Sequence, residues 1–226
     1  MVNIFYLDDN LQVNCAYYAD KHVVKMVIES CQLLSAICRV HGQSEEEAPY
    51  GIHSLKHPCA LWAGASLSNW RWLRELTLEL NKEYMFRYNK SEDHKSAAIC
   101  KTLKEPEGLI DVGITERPQS MPDEYKVKND PVQAYRNYYI GEKQYFCKWT
   151  KRDVPEWYKE GCKAWNLIHP DTPQTRQQHK DREERRKVER AEERKRIREE
   201  KKKEKEKEKE KIKAEKEKGK GKGKGK

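Results

Sequence analysis

Lys21, His22, Lys25 and Glu29 bring two ammonium groups, an imidazole and a carboxylate into one short stretch. Steps of three and four residues place His22, Lys25 and Glu29 in one line on a helix. An imidazole beside a carboxylate can move protons near neutral pH, and ammonium groups can neutralise phosphate. A solvated helical face carries the same residue types, so the reading depends on what else the chain supplies. It supplies His57, His94, Lys95, Arg87 and Arg136. It also interleaves cations with Tyr84, Tyr88, Tyr135, Tyr138, Tyr139, Trp149 and Trp157. Cations hold phosphates, and aromatic faces stack bases. Lys21, His57, Arg87, His94, Lys95, Arg136 and Trp157 are therefore candidate phosphate or nucleic-acid contacts.

The start of the chain adds a nucleophile. Removal of the initiator methionine before the small residue Val2 would expose an α-amine. Such an amine has a pKa of about 7.7–8.0 and is partly neutral at physiological pH. The candidate catalytic set is then Val2, His22, Lys25 and Glu29. His22, His57 and His94, with Glu29 or Glu83, offer metal-ligand types. None forms a short-range pair of the H-E-x-x-H kind, so no metal and no cofactor is expected.

Helices must position these groups. Tyr18–Arg39 reads as a strong helix whose apolar face holds Val24, Val27, Cys31, Leu34 and Cys38. After a loop at 42–56, Pro58 suits a helix start, and a second long helix is expected from about Cys59 to Tyr88. Ser91 suits the cap of a third helix running to about Lys104. Residues 105–129 read as a long irregular loop of the kind that often carries function. Asp130-Pro131 opens a fourth helix through PVQAYRNYYI, stopped by Gly141, and Pro155 begins a last one. Asp8, Asp9 and Asn10 offer cap chemistry for a helix near Leu11. MVNIFYL reads as a short extended segment. If the two long helices pair antiparallel, His22 and Lys25 approach Glu83 and Arg87, and His57 lies at the far end.

Charge divides the chain. From Gln174 onward there are 25 Lys+Arg against 14 Asp+Glu, whereas the rest holds 22 against 24. The formal net charge of +9 therefore belongs to the tail. The expected fold is mainly α: a compact helical domain over 1–170 with a short N-terminal extended segment, a charged single-helix tail over 171–218 and a disordered Gly-Lys end over 219–226. The tail suits nonspecific contact with nucleic acid. Seven cysteines stand singly, which fits a reduced intracellular protein, soluble in host cytoplasm or nucleus if viral. No apolar run is long enough to span a bilayer, so no membrane partner is expected.

MVNIFYLD, DKHVVKMVIES, HPCALW, EYMFRYNK with HKS, MPDEYK, YRNYY and VPEWY together resemble an uncharacterised family of phages and large DNA viruses. More remotely, the layout is similar to the pyrimidine-dimer DNA glycosylases of the T4 endonuclease V type, over roughly residues 2–165. That resemblance implies an N-terminal amine attacking the sugar, a first long helix carrying Arg-Glu-x-x-Arg, and an aromatic, basic C-terminal segment. Here Lys21-His22-Val23-Val24-Lys25 stands at the helix motif and Pro155-Glu156-Trp157-Tyr158 at the end motif. The family's catalytic carboxylate falls on His22, which moves the acid–base role to His22 or Glu29. The function implied is a base-excision DNA glycosylase/AP lyase acting on damaged or modified bases, with DNA as partner. Two alternatives are a nucleotide-binding or nucleotide-modifying enzyme and a non-enzymatic nucleic-acid-binding module.

Overall fold

The computed structural model describes residues 3–220. Contacts divide the chain into Met1–Thr175 and Arg176–Lys226. The first unit begins with α1, Leu11–Tyr17, and α2, Asp20–Val40. Asn10 caps α1 by accepting from the Val13 amide at 3.0 Å, which satisfies a donor every helix start leaves open. Tyr18 and Ala19 are extended, so the helix expected from Tyr18 starts at Asp20.

The second long helix is in fact two, α3, Pro58–Ala63, and α4, Leu67–Tyr88. The break lies at Gly64–Ser66, where Asp111 from the later loop takes over as cap. Its carboxylate accepts from the Ser68 amide at 3.3 Å, the Ser68 hydroxyl at 2.6 Å and the Ser66 hydroxyl at 3.2 Å. A carboxylate at a helix N-terminus is favoured by the helix dipole. Then come α5, Lys95–Thr102; a 3-10 turn, Asp123–Tyr125; α6, Pro131–Glu142; and α7, Glu156–Ile168.

α2 and α4 lie antiparallel. The Trp70 indole donates to the Leu34 carbonyl at 3.3 Å, and at the other end Arg87 meets Asp20 at 3.0 Å. Their facing stripes, Val23, Val27, Cys31 and Leu34 against Trp70, Leu73, Leu76 and Leu80, form the core. Each buried aliphatic side chain contributes roughly 1.5–3 kcal/mol relative to exposure. Val24, expected in that stripe, is only half-buried.

The described part of the N-terminal segment is buried from Asn3 to Leu7 but joins no strand. Side chains take the place of a ladder. The Tyr18 hydroxyl accepts from the Phe5 amide at 3.1 Å and donates to the Phe5 carbonyl at 2.6 Å. Asn14 accepts from the Leu7 amide at 2.6 Å, and Arg136 donates to the Leu7 carbonyl at 2.9 Å. With those partners the backbone is satisfied without a neighbouring strand.

The second unit holds α8, Arg176–Lys220, a helix with ion pairs such as Lys187–Glu184 at 2.8 Å and Arg196–Glu193 at 2.9 Å. The expected Gly-Lys end falls almost wholly outside the described residues. Among the described residues, no helix is long and apolar enough to cross a membrane.

Candidate functional site

The polar line on α2 is only partly solvated: Lys25 is exposed, whereas Glu29 is largely buried and His22 lies under Phe5 of the N-terminal segment. Phe5 stacks on the His22 ring with centroids 4.3 Å apart and planes at 18°. Asn3, at the start of the same segment, reaches the surroundings of His57. The Asn3 amide donates to the Ser120 carbonyl at 2.9 Å, and Tyr135 donates to Asn3 Oδ1 at 2.8 Å. Cys59 Sγ lies 3.8 Å from the same oxygen. Val2 lies outside the described residues.

His57 caps α3, its Nδ1 accepting from the Cys59 amide at 3.3 Å. In the neutral ring Nε2 then carries the proton, directed toward Ser120 Oγ at 3.4 Å. Burial lowers the His57 pKa, and the negative charge of Glu29 acts in the opposite sense. Glu29 also acts on Cys59, whose thiol burial pushes up to about 12. The Glu29 charge thus acts on both His57 and Cys59, the cap and first turn of α3. Its side chain is only 12% exposed, and Oε1 pairs with Lys25 at 2.9 Å. Oε2 is buried without a hydrogen-bond partner. A buried carboxylate oxygen left unpaired is costly, which marks it as an acceptor held for something else.

His22 is 7% exposed, not displayed on a polar surface. Its Nδ1 shares a 2.5 Å hydrogen bond with the Tyr139 hydroxyl, and the Phe146 ring packs edge-on with centroids 5.0 Å apart. Burial holds its pKa well below the usual histidine value, and the charges of Lys143, Lys25 and Lys21 add to the shift. The three ammonium groups thus surround a neutral imidazole. Lys21 is exposed over the Phe146 ring at 5.3 Å, and Lys143 lies 4.4 Å from the Tyr138 centroid. This rim is cationic and flanks Glu29. His22 is thus a buried, neutral ring stacked on Phe5 and bonded to Tyr139, not a member of an exposed polar stripe.

Five other candidates lie elsewhere. Arg87 does sit where the antiparallel pair predicts, but its side chain is 0% exposed. It donates to Glu83 at 2.9 Å, Asp20 at 3.0 Å, the Tyr18 carbonyl at 2.7 Å and the Ala16 carbonyl at 2.8 Å. With its donors so used, it pins the α1–α2 corner to the end of α4 and does not hold phosphate. His94 caps α5, accepting from the Ser96 amide at 3.2 Å, and Lys95 is exposed beside it. Arg136 anchors Leu7 and Asp8 and lies over Trp157 at 5.2 Å. Trp157 packs edge-on against Tyr17 and Tyr139.

The three histidines thus occupy three separate places, and among the described residues no cluster of three metal-ligating side chains forms. His57 stands apart from the other two as the cap of α3, beside Ser120. Asn3 and Ser120 were not singled out from sequence, and Tyr135 entered only as one of the interleaved aromatics. Asn3 did leave a signal, a lone amide inside the apolar run MVNIFYL. Compared with known proteins, the chain matches no family model, no curated protein and no solved structure.

Proposed function

We propose that the protein is a DNA-processing enzyme of the base-excision type, working at the junction of Asn3, Glu29 and His57. The unpaired buried oxygen of Glu29 carries this reading, because it stands at the level to which the N-terminal segment leads. From His22 to Glu29 the helix rises about 10 Å at 1.5 Å per residue. Three residues of chain, from Phe5 to position 2, reach at most roughly 10 Å. In this reading the nucleophile is the α-amine of a mature chain beginning at Val2.

In that arrangement the neutral amine attacks the anomeric carbon, and the carbon–base bond breaks. The base leaves with the bonding pair and takes a proton from water. Glu29 accepts the proton the amine sheds and returns it to the ring oxygen as the sugar opens. A Schiff base between the amine nitrogen and the sugar carbon remains. His57 Nε2–H orients the site through Ser120, and Lys21 and Lys25 face the flanking phosphates.

Borohydride reduction in the presence of abasic-site DNA tests this. The full chain should form a covalent adduct at its N-terminal residue. Glu29→Gln should lose it, as should a chain with an added N-terminal residue. Intact mass of the unreacted protein establishes whether the chain starts at Val2. Retained DNA binding without any adduct would sink the reading in favour of a binding module.

A further inference from the structure

The loop that supplies Ser120 also builds a second cleft, which that reading leaves unused. It encloses about 580 Å³ and is lined by Glu116, Arg117, Gln119, Lys126 and Lys128, among others. Three cations face one carboxylate. The cleft is shaped by a clamp: the Gln119 side-chain amide donates to the Val127 carbonyl at 2.6 Å and accepts from the Val127 amide at 3.0 Å. That double bond imitates a strand pair and fixes the two walls of the loop relative to each other.

Arg117 is equally fixed. Its guanidinium lies 4.7 Å from the Tyr6 centroid and 5.1 Å from that of Trp72, and it meets Asp9 at 3.3 Å. A cation seated on two aromatic faces loses little further freedom when an anion arrives. Lys126 pairs with the exposed Asp123 at 2.7 Å, and Lys128 is exposed. An exposed ion pair of this kind is weak and exchanges readily for a phosphate. The cleft also adjoins the candidate site, since the Tyr135 hydroxyl bonds both Asn3 and the carbonyl of the lining residue Pro118, at 2.8 and 3.0 Å.

We infer that this cleft holds the phosphodiester backbone of a DNA strand a few nucleotides from the Glu29 site, so the enzyme takes a polynucleotide and not a free nucleotide. This deepens the function proposed above and rests on its choice of nucleic acid as ligand. The strand follows a path from the Lys21–Lys25 rim past Ser120 into the loop.

The test compares the full chain with Lys126→Gln/Lys128→Gln. Binding of an undamaged DNA duplex is measured from 50 to 200 mM salt, a range in which each phosphate contact shows itself. The slope of log K against log salt should flatten by about 2, one for each lysine removed. Lys159→Gln/Lys163→Gln, on the exposed face of α7, controls for net charge. Affinity for a deoxynucleoside monophosphate should stay unchanged in the cleft variant. The inference is overturned if the slope falls no further than in the control, or if the monophosphate weakens in step with the duplex. Adduct formation is scored separately. No adduct with the full chain, together with a flattened slope in the cleft variant, sinks the catalytic reading alone; a normal adduct with an unchanged slope sinks the cleft alone.

Discussion

Replacing Arg87 with methionine separates a structural arginine from a ligand-binding one. The guanidinium is wholly buried and serves two carboxylates and two helix-end carbonyls. Methionine fills much of its volume and donates nothing. Glu83 keeps Arg152 as a partner, and Asp20 keeps the Thr150 amide at 2.9 Å and its hydroxyl at 2.8 Å. Neither carboxylate is therefore stranded, but the Ala16 and Tyr18 carbonyls lose the donor that reached them. Breaking one side of a buried ion pair costs about 3–5 kcal/mol, and the surviving partners place the expected loss toward the lower end. For a unit of this size that is a fall in Tm of roughly 6–20 °C. Arg152 shares Glu83 but is 40% exposed, so Arg152→Ala should cost no more than about 1 kcal/mol. Thermal and urea unfolding of the two variants checks the ordering. Equal, small losses would refute the buried network and return Arg87 to the list of ligand contacts.

His22→Ala should destabilise by about 2–4 kcal/mol, because the Tyr139 hydroxyl loses its partner and Phe5 loses a stacked ring; urea titration measures it. The depressed His22 pKa also gives a pH signature. The unfolded chain binds a proton below about pH 6.5 that the native ring refuses, so stability should fall as pH drops through that value, by up to about 1.4 kcal/mol per unit. In His22→Gln that contribution should vanish, and an unchanged pH dependence would show that the ring is not buried neutral. Gly141→Ala should cost about 1–3 kcal/mol, since a Cβ there would fall within the Tyr125 ring. Gly161→Ala meets only the end of the flexible Ile140 side chain and should cost less, as paired melting curves would show.

The helices were legible in the sequence because their signals are local. Asn10, Asp130 and the prolines at α3 and α6 mark starts that the structure confirms. Local signals also misled. Gly141 reads as a stop, but it lies inside α6, which ends at Glu142, and its missing side chain leaves room for the Tyr125 ring. The break between α3 and α4 depends on Asp111, which is remote in sequence. The candidate site was half visible for the same reason. Periodicity aligns His22, Lys25 and Glu29, but it cannot show that Phe5, Tyr139 and Phe146 enclose His22 while Lys25 stays exposed. His57 and Ser120 meet only through tertiary packing.

The burial of residues 3–7 also sets an order of events during synthesis. Arg136 holds Leu7 across 129 positions, and Tyr135 holds Asn3 across 132. Contacts this distant are slow to close, since a long loop must be ordered before they reward it. At about 5–20 residues per second, the first residues leave the ribosome on the order of ten seconds before the helix that covers them. Through that interval Ile4, Phe5, Tyr6 and Leu7 are an exposed apolar stretch. Burial of these four side chains therefore waits on α6, which holds the segment at Asn3 and Leu7.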